Sequence, residues 1–269
     1  MAGSASGALV ARIRLGDREF VLKTATEREA AFYRSAEVVP VRVPKVVASD
    51  DTCLLFEALI PLPPAKDWPA ARWLEVARQL GELHHPGVRA AVGDQPWLKR
   101  PAPHRSPDAT ARAFWTRDEL ATPIEGPRLP PCLIHGDLHA GNLLADRTGD
   151  SGQDGGNRQD GGNRQDGEGG GSGRSGGLVW ADWQEVGIGS GPEDLALLWQ
   201  RAEADGADPP RDAMLASYAR ARGIPCDDTL RRATTAAEVR LLLLDWPPHL
   251  AGDPGRARIM RRRLHALRQ

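Results

Sequence analysis

The stretch from Ile134 to Leu144, IHGDLHAGNLL, constrains the fold of this chain more than any other, because it packs two histidines, a carboxylate and a carboxamide between apolar runs. Leu133 to Ile134 and Asn142 to Ala145 read as short strands, so the polar groups sit on a loop held at both ends by rigid backbone. A third apolar run, Leu178 to Ala181 with Trp180 inside it, delivers a second carboxylate, Asp182, at its end. Between these runs QDGGNR occurs at 153–158 and again at 159–164, then decays into QDGEGG. Gly-rich polar sequence cannot bury enough apolar surface to offset its ordering entropy. Residues 146–177 are therefore expected to be a disordered insertion joining two strands that are neighbours in space. Long insertions cost little at such a turn, so repeat slippage accounts for it, with a flexible lid or partner-binding segment as the alternative.

Upstream, Ala8 to Arg14 (ALVARIR) and Glu19 to Lys23 (EFVLK) alternate around Gly16-Asp17, the pattern of an antiparallel hairpin. Thr24 or Thr26 can cap a helix over Glu27 to Ala36, and Val46 to Ala48 with Thr52 to Leu55 reads as a second β pair. After Pro61-Leu62-Pro63-Pro64 the periodicity turns helical, from Pro69 to His84, from Asp108 to Leu120, and from Pro192 to Gln269. A small β-rich part, residues 1–58, thus precedes a larger helical part, 59–269.

A chain of 269 residues can build a sizeable core. Its 35 Lys plus Arg against 36 Asp plus Glu argue against a phosphate backbone or an anionic bilayer as the main partner, so no nucleic acid and no membrane are expected. Cys53, Cys132 and Cys226 are odd in number and widely spaced, which fits a reduced cytoplasm. Met1 to Gly7 lacks the pattern of a secretory signal. Arginines in the last helix would be favoured by its dipole, or could touch a membrane or nucleic acid.

HGDLHAGN, followed by a strand ending in an acidic residue and then by GIGSGPEDLA, resembles the aminoglycoside phosphotransferase and choline kinase family. His135, Asp137, His139, Asn142, Asp182 and Asp194 match its pattern. The resemblance implies an α+β, bilobal, protein-kinase-like fold, with a β-rich N-lobe and a larger helical C-lobe. It implies ATP and Mg²⁺ as cofactors, a small-molecule hydroxyl as acceptor, and a monomer or weak dimer. Phosphoryl transfer runs on positioning and electrostatic stabilisation of a loose transition state, which explains these residue types.

By the same resemblance Asp137 orients the acceptor hydroxyl and takes its proton, while Asn142 and Asp182 hold Mg²⁺, a cation suited to hard oxygen ligands. Lys23 in REFVLKTA would meet the α/β phosphates, paired with Glu29 or, second, Glu27. Either glutamate could instead complete a capping box with Thr26 or Thr24. Cys53 to Ile60 falls where the family joins its lobes, so Glu57 to Leu59 would meet adenine through backbone groups. Residues 3–7 alone remain to cover the phosphates: either the chain start is truncated or a shortened Ser/Gly loop serves.

Three further readings bear on function. His135, Asp137 and His139 alternate and could ligate zinc in a hydrolase; in the phosphotransferase reading both histidines are structural. The chain could also be a weak or inactive kinase-like nucleotide binder. Capping explains Asp194 as support for the loop, the helix dipole explains His84 and His85, and packing explains Trp180 and Trp183. Glu193, Asp194, Glu203, Asp205, Asp208 and Asp212 could serve a cationic acceptor such as an aminoglycoside, or form a solvated face. Choline-like and sugar acceptors stand beside it.

Overall fold

Gly16 takes a left-handed φ of 64° and turns the chain between β1 (Val10–Leu15) and β2 (Arg18–Thr24), a conformation glycine adopts without steric cost. The computed structural model describes residues 8–50, 52–99, 106–146, 177–250 and 252–269. The Ser/Gly segment 3–7 and the QDGGNR repeats lie outside the described residues.

Thr26 caps α1 (Glu27–Arg34), accepting from the Glu29 N–H at 3.2 Å. Strands β3 (Val46–Ser49) and β4 (Cys53–Glu57) complete an antiparallel sheet of order β1-β2-β4-β3. Ala30 of α1 packs on Leu54 and Phe56 of that sheet. The apolar run Cys53–Ile60 is not one strand. It leaves the first sheet after Glu57, and β5 (Ile60–Pro61) pairs instead with β7 (Leu143–Ala145) of a second sheet.

Helix α2 (Ala70–Leu83) buries Trp73, Val76, Ala77, Leu80 and Leu83, and the short α3 (Pro86–Val92) follows it. The expected helix over 108–120 divides into α4 (Ala109–Phe114) and α5 (Arg117–Leu120). Thr116 and Glu119 cap each other reciprocally there, which starts a new helix inside a continuous apolar period.

Strands β6 (Cys132–Ile134), β7, β8 (Leu178–Trp180) and β9 (Gly187–Gly189) form two small antiparallel sheets, β5-β7-β8 and β6-β9. Leu143 pairs with Trp180 and Ala145 with Leu178, so the strands on either side of the Gly-rich repeat are neighbours. Helices α6 (Pro192–Ala204), α7 (Arg211–Arg222) and α8 (Asp228–Arg240) follow. Gly81 lets α2 lie close against α7: a Cβ there would come within 2.4 Å of the Tyr218 carbonyl oxygen.

After α8 a π-turn, Leu241–Asp245, leads into α9 (Pro247–Leu250) and α10 (Pro254–Leu267). Met260 and Leu264 bury one face of α10 against Val239 and Leu242–Leu244. Two of its flanking arginines are bound by the protein itself, Arg263 to Glu238 and Arg268 to Asp118. Among the described residues no helix is long and apolar enough to cross a membrane.

Candidate active site

The ladder between β7 and β8 extends by one bond, from the Ala181 N–H to the Asn142 carbonyl at 2.9 Å. Asn142 and Asp182 therefore leave adjacent strand ends. Asp182 is the one non-glycine residue with positive φ among the described residues (φ 64°, ψ 63°), a backbone region that aspartate tolerates better than most. From there its Oδ1 accepts from Lys23 Nζ at 2.6 Å. Lys23 also donates to Glu29 Oε1 at 2.7 Å, and with 8% of its side chain exposed it is clamped between two carboxylates. Burial holds the Glu29 carboxyl above its ordinary range, against the pull of the ammonium. The capping box thus closes only halfway: the Glu29 N–H goes to Thr26, and its side chain to Lys23.

Beneath the polar loop lies Asp194. Its Oδ2 accepts from the His135 N–H at 2.7 Å and its Oδ1 from the Gly136 N–H at 2.9 Å. Gly136, at φ 85°, admits no side chain, since a Cβ would stand 2.1 Å from the Glu185 carbonyl oxygen. Capping of α6 is therefore not what Asp194 does; Gly191 occupies the cap position without a side-chain bond. The dipole account of His84 is also corrected. His84 is fully buried, with Nε2 at 3.2 Å from Asp194 Oδ2 and Nδ1 at 2.9 Å from the Tyr218 hydroxyl, itself bonded by Arg222. His85 accepts from the Gly87 N–H and caps α3. Burial pushes the Asp194 carboxyl upward, but His84, His135 and the Gly136 N–H outweigh it and leave the group below its usual range.

His135 has no ring nitrogen left for a metal. Nδ1 accepts from the Asp137 N–H at 3.3 Å, which puts the proton on Nε2, 3.0 Å from the Ala181 carbonyl oxygen. This engagement removes the zinc triad. Burial lowers the pKa of His135 and of His139, whose Nδ1 accepts from the Gly141 N–H at 3.1 Å. Trp183, fully buried, stacks on Phe32 of α1 at 4.4 Å between centroids, and Trp180 donates to Gln79.

Asp137 differs from all of these. Its side chain is 24% exposed, and the nearest cation, Arg201 Nη2, is 4.0 Å from Oδ1. Asn142 Nδ2 donates to the Asp137 carbonyl at 2.9 Å, and no hydrogen bond to Asn142 Oδ1 forms among the described residues. The Asn142 oxygen and the Asp182 carboxylate, at adjacent strand ends, are hard donors that fit Mg²⁺. Glu57 pairs through its side chain with Arg18 at 2.8 Å, and Leu59 lies half-buried where the chain crosses between sheets.

A cavity of about 960 Å³ opens beyond Asp137, between α6, α8 and β9. The π-turn carries Leu241 and Asp245 onto its wall, and Trp246 follows them there. Carbonyls of that segment are met by side chains, Glu238 by Gln200 at 2.9 Å and Leu242 by Trp115 at 3.1 Å. Arg201, two turns beyond Asp194 on α6, lies over the Trp246 ring at 5.4 Å. The heptad spacing from 194 to 201 was a usable signal for this arginine. Nothing in the sequence linked His84 to Asp194.

The profile described as "Phosphotransferase enzyme family" matches residues 3–154. Among solved structures, a macrolide 2'-phosphotransferase from Brachybacterium faecium is 17% identical, with 97% of this chain and 88% of that one covered at a TM-score of 0.51. A choline kinase from Cryptosporidium parvum is 13% identical over 98% and 89%, TM-score 0.56. An amicoumacin kinase, in complex with AMP-PNP and Ca²⁺, is 13% identical over 96% and 87%, TM-score 0.55. No curated protein matches. The fold is bilobal and protein-kinase-like, with a small β-rich N-lobe and a helical C-lobe.

Proposed function

The chain belongs to the Phosphotransferase enzyme family, and from that membership we propose that it transfers the γ-phosphoryl group of ATP, with Mg²⁺, to a hydroxyl of a small molecule. The observation that carries this reading is the clamp on Lys23: its ammonium meets Asp182 across 159 residues of chain, beside the free oxygen of Asn142. A cation facing hard oxygen donors is what phosphate and a divalent ion need together. Relatives named for macrolide, choline and amicoumacin support a small-molecule acceptor, and AMP-PNP with Ca²⁺ in one of them supports a nucleoside triphosphate and a divalent ion.

In this reading residues 1–58 and 59–269 form the lobes, and the nucleotide lies between them against the backbone of Glu57 to Leu59. Lys23, oriented by Glu29, neutralises the phosphates. Mg²⁺ held by Asn142 and Asp182 would supply further neutralisation of the charge that spreads over the transferred group. Asp137 takes the proton of the acceptor hydroxyl as that oxygen bonds to the γ-phosphorus, the bond to the β,γ-bridging oxygen breaks, and ADP leaves. His135, His139 and Asp194 hold the loop that presents it.

Asp137→Asn tests the reading. With ATP and Mg²⁺ across a panel of hydroxylated acceptors, transfer should fall by about 10³-fold while nucleotide affinity stays unchanged. Undiminished turnover by this variant would remove Asp137 from the chemistry.

A further inference from the structure

The cavity beyond Asp137 has a chemistry that family membership leaves open. At about 960 Å³ it lies at the upper end for drug-sized ligands, far above what a small amino alcohol fills. Ile188, Leu197, Ala233, Ala236, Ala237 and Leu241 line it, three of them alanines where longer side chains would close the space.

Its charges are arranged against a polycation. Arg128, Arg201 and Arg240 all line the cavity. Arg128 is exposed and makes no ion pair or hydrogen bond among the described residues. Of the lining carboxylates, Asp194 is buried under the loop, Glu193 is turned onto Ser190, and Asp245 stands 3.4 Å from Arg240. That leaves Asp137 and Glu185 against three guanidinium groups. The acidic residues that would suit an aminoglycoside lie elsewhere: Glu203 pairs with Arg211, Asp205 with Arg256 and Asp212 with Arg231, and none of them lines the cavity.

We propose that the acceptor is a bulky alcohol with an apolar body and at most one positive charge, lying along Ala233–Ala237 with its hydroxyl at Asp137. Polycationic sugars and small quaternary alcohols are poor acceptors. The inference rests on the phosphotransferase reading, and the transfer step is the same: the acceptor oxygen gains the phosphoryl group, ADP keeps the bridging oxygen, and Asp137 takes the proton. Apolar walls reward an apolar body by removing its surface from water, while unneutralised arginines exclude added positive charge.

The test compares steroidal and macrocyclic alcohols with aminoglycosides and choline as acceptors, with ATP and Mg²⁺. The apolar alcohols should show a kcat/KM at least about tenfold higher. Ala237→Trp should raise their KM about tenfold while the affinity for a fluorescent ATP analogue, which reports folding, is unchanged. Arg128→Glu, at an exposed position, should lower KM for the cationic acceptors. Thermal melts of Asp137→Asn protein with AMP-PNP provide a readout free of turnover: stabilisation by apolar alcohols alone is expected, and equal or absent stabilisation overturns the inference. Preferential transfer to an aminoglycoside or choline overturns it too, with the phosphotransferase reading intact. That reading falls instead if Asp137→Asn transfers as well as the unaltered protein.

Discussion

Asp137 and Asp194 stand on the two sides of one loop, and their surroundings could hardly differ more. Asp194 is 1% exposed, with both oxygens committed to the His135 and Gly136 N–H groups and to His84. Asp137 faces the cavity, and its nearest cation is at 4.0 Å. A chain folded around a reactive loop needs both kinds of carboxylate. The lower one fixes backbone by satisfying buried donors, and the upper one is reactive because no donor has claimed it.

The sharpest way to break this comparison is to remove each group in turn. Asp194→Ala leaves two buried N–H groups and His84 without their acceptor, and should destabilise the fold by about 3–5 kcal/mol in urea unfolding. Transfer should be lost with it. Asp137→Asn should move stability by no more than about 0.5 kcal/mol, as substitutions outside buried networks do. Equal stability losses in the two variants would mean that both carboxylates are structural.

The same contrast explains what the sequence could and could not reveal. The loop, the hairpin and the pairing of β7 with β8 were legible because each depends on residues close together or on an insertion that any neighbouring strands tolerate. Asp194 was misread as a cap because it begins a helix in sequence, whereas its partners, the N–H groups after β6, arrive from elsewhere. His84 ends α2, so chain position suggested a dipole contact. Only the close packing of α2 on α7, made possible by Gly81, brings it to Tyr218 and Asp194. The break at Thr116 was different: its capping box is local, and the apolar period simply concealed it.

pH separates the layers further. Burial lowers the pKa of His135 and His139 below the ordinary 6.5, so the unfolded chain binds protons that the folded one refuses. Stability is then fully present above about pH 6.5 and declines as pH falls below it, by up to about 1.4 kcal/mol per pH unit for each proton. Asp194 has its folded pKa below 3.8, so its contribution persists to lower pH and is lost last. Urea-derived stability measured from neutral to acidic pH should therefore decline first in the histidine range. A profile flat down to the carboxylate range would show that the loop's base tolerates charged imidazole.

The smallest expected effect lies across the cleft, where Glu29 is as buried as Asp194 but serves Lys23 instead of backbone. Thr26 does the capping alone, so Thr26→Ala should cost about 1 kcal/mol in thermal or urea unfolding and leave nucleotide affinity unchanged. Glu29→Gln should cost less stability, because burial already disfavours the charged form, but should weaken nucleotide binding by leaving Lys23 drawn to Asp182 alone. Titration of both variants with a fluorescent ATP analogue distinguishes the two roles. If Thr26→Ala weakened binding as much as Glu29→Gln, the cap and the ion pair would be one unit, and the division between supporting and reactive carboxylates would stop at the C-lobe.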